Sequence, residues 1–429
     1  MPLNHKLIKI LMTRIFILLI GLFIGVHRID LLEYQGSFML TPILLFSGSF
    51  SLYYIVRSIV LGARRPDNFF ALIFLLFLFL LWSFINLDFE DLTQIKRFCL
   101  FLYLIFNALI LNIAIFNQPE PRKTINSFLN LCLISYGLFS VLQSYYFFNN
   151  QVHISGQQDF RWVELYPFSM GVYYARITGG FLDPNIAGYF LIFIYLVKSS
   201  IKNTNSSKAF NFFIYVFIFI TFSRTAITTY LLVLAFEYLY FNYVSIVKYF
   251  KKGNLLITSL TLAVFITAVF YLISTGKYEV FLEKRLTTND KSAQIHFALL
   301  KHGFETATDN LEHFISGHGF GSSYIYTSVF FGGSKYGNFH SEFLTSVVET
   351  GIVGLSLYLV IIFGSTLAIK NIRLSKHSFY LMLIPVVIFL EGILYQQFLF
   401  QHYWFFLFIP WFWTDKNFFS QIEEETNLL

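Results

Sequence analysis

Apolar residues fall into long unbroken runs, and polar residues collect in the short gaps between them. A run such as "NFFALIFLLFLFLLWSFINL" (68–87) is long enough to cross about 30 Å of hydrocarbon at about 1.5 Å per residue. This pattern predicts about 12 spans, at 10–26, 38–62, 68–87, 98–116, 127–148, 184–197, 210–223, 225–246, 255–275, 341–369, 377–395 and 402–414. The sixth, seventh and twelfth are short, which suits tilted or partly buried helices. Two long polar segments, 149–183 and 276–340, interrupt the pattern. Long loops are usually functional or disordered. Trp162, Tyr166, Phe181, Phe304, Phe314, Phe320 and Tyr324 bring too many aromatics for disorder, so folded caps are expected. In "DKSAQIHFALLKHGFETATDN" (290–310), Ile295, Leu299 and Phe304 stand near helical spacing, which predicts an amphipathic helix lying on the membrane. The expected fold class is all-α: a polytopic helical membrane protein with a large extracytoplasmic loop between its ninth and tenth helices. It divides into a five-helix region (1–148), an outer loop (149–183), central helices (184–275), a large outer loop (276–340), and C-terminal helices with a cytoplasmic tail (341–429).

Composition agrees. The chain is 56% hydrophobic and 13% charged, against about 45–50% and 25% for soluble domains. The net charge of +6 is dispersed over short loops and lacks the basic face that nucleic acid requires. With the N-terminus inside, the cytoplasmic segments hold sixteen Lys and Arg, and the short outer loops hold four, Arg28, Lys96, Arg97 and Arg224. This asymmetry places both long loops outside and both termini in the cytoplasm. The first apolar run has no small-residue cleavage site after it, which makes it an uncleaved first span. Cys99 and Cys132 both lie within apolar spans and are expected to be buried, reduced thiols.

On the outer side, three basic sites come from separate stretches: Arg176 in "ARITGGFLDPNIAGYFL", Arg224 in "TFSRTAIT", and His340 at the start of the tenth span. Arg285, in "FLEKRLTTND", is a further candidate. A guanidinium offers paired donors to phosphate oxygens and stays charged in a partly dry site, so these arginines suit a diphosphate. They equally suit snorkelling to lipid headgroups. Pro184 fits a first helical turn, and Asp183 or Asn185 can satisfy its free N–H groups, either as plain caps or beside a bound anion. His340 stands at a helix N-terminus, where the dipole disfavours a second proton and leaves a neutral general base. A capping or packed histidine is the plain alternative. Glu349, nine residues further on, is an intramembrane carboxylate with either a functional or a hydrogen-bonding role. His296, His302, His313, His318 and His402 show no metal-ligand spacing. No metal and no cofactor is expected. An acidic cluster, Asp88, Glu90 and Asp91, offers a metal-dependent alternative. Transport is disfavoured because polar groups gather on one side of the bundle instead of spreading along many spans.

The strings "RITGGFLDPNIAGY", "FSRTA", "SGHGFGSSY" and "NFHSEFLTSVVETGIVGLSLYLVIIF" resemble the O-antigen ligase/polymerase family of bacterial membrane glycosyltransferases, over about residues 176–363. The resemblance implies a multi-pass protein of the bacterial inner membrane. It implies transfer of a glycan from a polyprenyl diphosphate carrier to an acceptor sugar hydroxyl on the outer face, without a nucleotide. The acceptor is a growing polysaccharide for a polymerase, or a lipid A core or other glycolipid for a ligase. The family's essential histidine corresponds to His340, and its basic residues to Arg176 and Arg224. Two departures stand out: Ser341 follows the histidine where the family usually has Asn, and Ser292 and Gln294 stand where a further arginine is expected, with Arg285 nearby.

Overall fold

The computed structural model describes residues 5–23, 33–34, 38–39, 42–61, 65–66, 68–148, 153–154, 164–168, 172–176, 178–179, 181, 183–201, 207–221, 223–251, 291–328, 339–369, 376–395 and 400–413. The helices are α1 (His5–Phe23), α2 (Pro42–Leu61), α3 (Phe69–Ile85), α4 (Leu92–Phe116), α5 (Pro121–Phe148), α6 (Pro184–Ile201), α7 (Ser207–Ile220) and α8 (Arg224–Lys251). After these come α9 (Lys291–Ala307), α10 (Leu311–Ser316), α11 (Ser323–Thr327), α12 (Glu342–Ile369), α13 (Lys376–Leu394) and α14 (Gln401–Trp413). Helices stand at the position of every predicted span except the ninth (255–275), which lies outside the described residues. Among the described residues, four helices are long and apolar enough to cross a membrane: Leu92–Phe116, Pro121–Tyr145, Pro184–Ile201 and Glu342–Thr366. The count of about 12 and the loop between the ninth and tenth spans stay expectations from the sequence.

The fold is helical with small β additions. A two-residue pair, β1 (Glu33–Tyr34) and β2 (Phe38–Met39), joins α1 to α2. In the first long loop, β3 (His153–Ile154) runs parallel to β4 (Glu164–Phe168), and β4 pairs antiparallel with β5 (Val172–Arg176), Glu164 opposite Arg176. In the second long loop, α9 covers the expected amphipathic segment. Its apolar residues do not share one face. Leu299 is fully buried, whereas Ile295, Phe297 and Phe304 are exposed. The buried side includes Gly303, which closes on Leu344 and Phe339, so α9 packs on α12.

Local chemistry sets the helix boundaries. Proline opens α2, α5 and α6, where its missing N–H costs nothing. Asp91 caps α4 by accepting from the Thr93 amide at 2.8 Å. The short last helix, α14, is buried along its whole length. Phe101 packs edge-on against its Trp404, and Phe128 lies against its Phe405.

Side-chain pairs fix the directions of three helices. Asn185 meets Ser223, Tyr189 meets Thr229, and Tyr195 meets Glu237, so α6 and α8 run parallel. His377, near the start of α13, reaches the Ser200 carbonyl near the end of α6, and α13 packs along α6. The two are therefore antiparallel. The N-termini of α6 and α8 and the C-terminus of α13 thus lie at one end of the bundle.

Candidate functional site

That end collects most of the residues singled out in the sequence. Asp183 caps α6 through the Asn185 amide (2.6 Å), and its carbonyl accepts from the Ala187 amide (3.1 Å). The Asn185 Oδ1 accepts from the Ser223 hydroxyl at 2.6 Å, and Ser223 in turn accepts from the Ala226 amide at 3.2 Å. Asn185 is thus a clasp between two helix N-termini, and Arg224 is the first residue of α8, with its side chain exposed. Arg176 ends β5, two residues before the described turn at 178–179; its side chain lies outside the described residues, as does the whole of Arg285. The segment between Arg176 and α6 is anchored to α5. The Thr178 amide donates to Gln143 Oε1 (3.0 Å), and Gln143 Nε2 donates back to the Thr178 hydroxyl (2.9 Å).

His340 reaches the same end through α13. The Ser341 hydroxyl donates to the Gly392 carbonyl (3.2 Å), and the Glu342 amide donates to the Tyr395 carbonyl (3.1 Å). Ser341 also caps α12, accepting from the Leu344 amide at 3.4 Å. His340 precedes this cap with φ of 53°, the one non-glycine residue at positive φ among the described residues. Such a backbone costs about 1–3 kcal/mol and persists only where the surroundings impose it. The half-buried ring lies 4.1 Å from the His296 ring, centroid to centroid, and 6.0 Å from Tyr395. Burial first, and the neighbouring imidazole second, push the His340 pKa down to about 4. The ring is therefore neutral at pH 7.

The tenth span is not one straight helix. It kinks at Gly351, whose φ of 68° leaves the helical ladder. A kink strands carbonyls that need donors. Three consecutive carbonyls find them: Val348 from the His318 amide (2.7 Å), Glu349 from the Gly319 amide (3.1 Å), and Thr350 from the Trp82 indole (2.8 Å). The glycine-rich loop within "SGHGFGSSY" is thus a splice on the kink. Glycine is required at Gly351 because a Cβ would come within 2.1 Å of the Ile315 carbonyl. Glu349 is fully inside the protein, and its carboxylate accepts from the Ser323 amide at 3.3 Å, which gives it an anchoring role for the loop. Glu342, Ser346, Glu349 and Thr350 border a cavity of about 10 Å³, room for about one water and far too little for a sugar.

Several residues have roles that the sequence did not reveal. Arg97, one turn and a half into α4, donates to the Gly321 carbonyl (3.1 Å) and lies 4.9 Å above the Tyr324 ring. A cation near a helix N-terminus is electrostatically misplaced, and that was the available signal of an external partner. His296 gave no signal, since 44 residues separate it from His340. The acidic cluster is structural in its contacts. Asp88 accepts from the Glu90 amide, and Asp91 takes the Thr93 amide and the Tyr324 hydroxyl. Burial acts to raise the Asp91 carboxyl, and hydrogen bonds from Tyr324, Thr93 and Gln94 outweigh it, so its pKa falls below the ordinary value. Cys132 is buried as expected, but Cys99 is exposed. Its helix face is apolar because it points away from the bundle, not into it.

Residues 209–359 match the O-antigen ligase family. This supports the family assignment on a stretch that includes Arg224, His296, His340 and Glu349, with Arg176, Asp183 and Asn185 lying before it. The match agrees with the resemblance carried by "FSRTA", "SGHGFGSSY" and "NFHSEFLTSVVETGIVG". For the O-antigen ligase region it supports glycosyltransferase-type activity in surface polysaccharide biosynthesis, with a lipid-linked glycan and an acceptor as partners. Among curated proteins no match is found.

Proposed function

We propose that the protein is a polysaccharide polymerase of the bacterial plasma membrane. It transfers a glycan from a polyprenyl diphosphate carrier to a sugar hydroxyl on the outer face, with both termini in the cytoplasm. The observation that carries this reading is the neutral, backbone-strained His340 beside His296, at the bundle end where the α6 and α8 N-termini also lie. The acceptor hydroxyl attacks the anomeric carbon, and its proton passes to the His340 imidazole. The bond from that carbon to the diphosphate oxygen breaks, and the electron pair leaves on the diphosphate. Arg224, with Arg176 and Arg285, neutralises the growing charge, which fixed donors do best. The leaving group is good already, so no strong acid and no metal is required. His340 later releases its proton to water.

The family description names a ligase, which favours the second reading: transfer of a finished glycan to a lipid A core or another acceptor. The product separates the two. Purified protein is supplied with a lipid-linked repeat unit alone. A polymerase releases carrier diphosphate and builds a ladder of lipid-linked oligomers. A ligase releases none until a glycolipid acceptor is added. No carrier release under either condition overturns both.

A further inference from the structure

We propose that Asp309, His313 and His318 form a binding site for a zinc-class divalent transition-metal ion, separate from the transfer reaction. The three ligand atoms all lie within 4.8 Å of one another. His313 Nδ1 is 3.0 Å from Asp309 Oδ1 and 3.1 Å from Oδ2, and His318 Nε2 is 3.7 Å from Asp309 Oδ2. A tetrahedral ion with ligand bonds of about 2.0–2.1 Å needs its ligand atoms about 3.3 Å apart, so small side-chain motions close the set. The two imidazole centroids are 3.8 Å apart.

The site is built asymmetrically. The His318 side chain is 5% exposed, and its backbone amide is locked to the Val348 carbonyl of the kinked α12. The Tyr326 hydroxyl holds its Nδ1 at 2.9 Å, and Nε2 stands 3.7 Å from Asp309 Oδ2. Such an outer partner is how metal-binding histidines are fixed in orientation. Nε2 also faces the Thr306 carbonyl at 3.0 Å, a hydrogen bond that an ion would replace. His313 and Asp309 are 36% and 43% exposed, so an ion enters from solvent. The Asn310 amide lies 2.8 Å from His313 Nδ1 and must turn aside. Two imidazoles with one carboxylate select zinc, cobalt or nickel over magnesium or calcium, and they leave one position for water. A bound ion ties the turn after α9 to the loop that splices the α12 kink.

The test uses tag-free full-length protein in nanodiscs, stripped of metal and titrated with Co²⁺ and then Zn²⁺. The expected result is one Co²⁺ per chain with the visible absorption of a low-coordinate ion, displaced by Zn²⁺, together with a rise in Tm. His318→Ala removes a buried ring and threatens the fold, so the exposed ligands carry the test. Asp309→Asn and His313→Ala, each checked for a wild-type Tm without metal, should each lose more than about tenfold in affinity. The proposal is overturned if wild type binds no stoichiometric Co²⁺, or if either variant binds as tightly as wild type.

Discussion

Lowering the pH tests the His340 chemistry in a way that an ordinary histidine could not imitate. Burial and the adjacent His296 hold its pKa at about 4, against an ordinary 6.5. At pH 5 an unperturbed imidazole is about 97% protonated, whereas one at about 4 is only about 9% protonated. A base at the lower value therefore keeps roughly 30 times more of its active form at that pH. The assay is kcat/KM for glycan transfer by reconstituted protein between pH 3.5 and 8, with the donor checked for acid hydrolysis. The acid limb should fall near pH 4. His296→Gln should move it upward, but short of the ordinary value, because burial is the larger cause. The same shift bears on stability. The unfolded chain binds this proton at a higher pH than the folded one does. Stability is therefore full above about 6.5 and falls as the pH drops toward about 4. An acid limb between pH 6 and 7 in wild type, or one unmoved by His296→Gln, refutes the reasoning.

Three further outcomes follow from the geometry. Arg224→Lys keeps the charge but loses the paired donors, and kcat/KM should fall by about 10–100-fold in well-inserted protein, the worth of a charge-assisted hydrogen bond; unchanged kinetics would leave Arg224 as a headgroup contact. Gly351→Ala forces a Cβ to within 2.1 Å of the Ile315 carbonyl at a φ of 68°, so Tm should drop by an amount matching at least about 1–3 kcal/mol; an unshifted Tm would contradict the kink. Ser322 is buried and unsuited to labelling, but Thr308 is exposed. A cysteine there, with Cys99 and Cys132 replaced, should react with impermeant reagent in intact spheroplasts, and labelling only after lysis would reverse the orientation.

The helices were legible because a bilayer demands long apolar runs, and such runs need no partner to be recognised. Proline and Asx starts, as at Pro184 and Asp183, were legible for the same local reason. Which face of a span points inward was not. On α3, Phe70, Phe74 and Phe77 are exposed while Leu72 and Leu76 are buried, and both faces are equally apolar. Lipid and core select the same side chains, which is also why Cys99 was misplaced. Contacts across long separations left no mark either: His296 with His340, and Gln143 with Thr178. The kink at Gly351 was hidden inside a run that reads as a single span. His340, Arg224 and Asn185 were legible as residue types at helix starts. That Arg224 and His340 share one side was legible from the span count and the Lys and Arg asymmetry, and the directions of α6, α8 and α13 agree with it.

His340 is proposed to take the acceptor's proton. The most direct measurement is single-turnover transfer from a lipid-linked glycan by purified wild type and His340→Ala, with folding verified by Tm. Donor binding should be retained while transfer slows by about 10²–10⁴-fold, the usual worth of general-base catalysis. Wild-type transfer by well-folded His340→Ala would contradict it, and the strained histidine would then be a structural element of the α12 start.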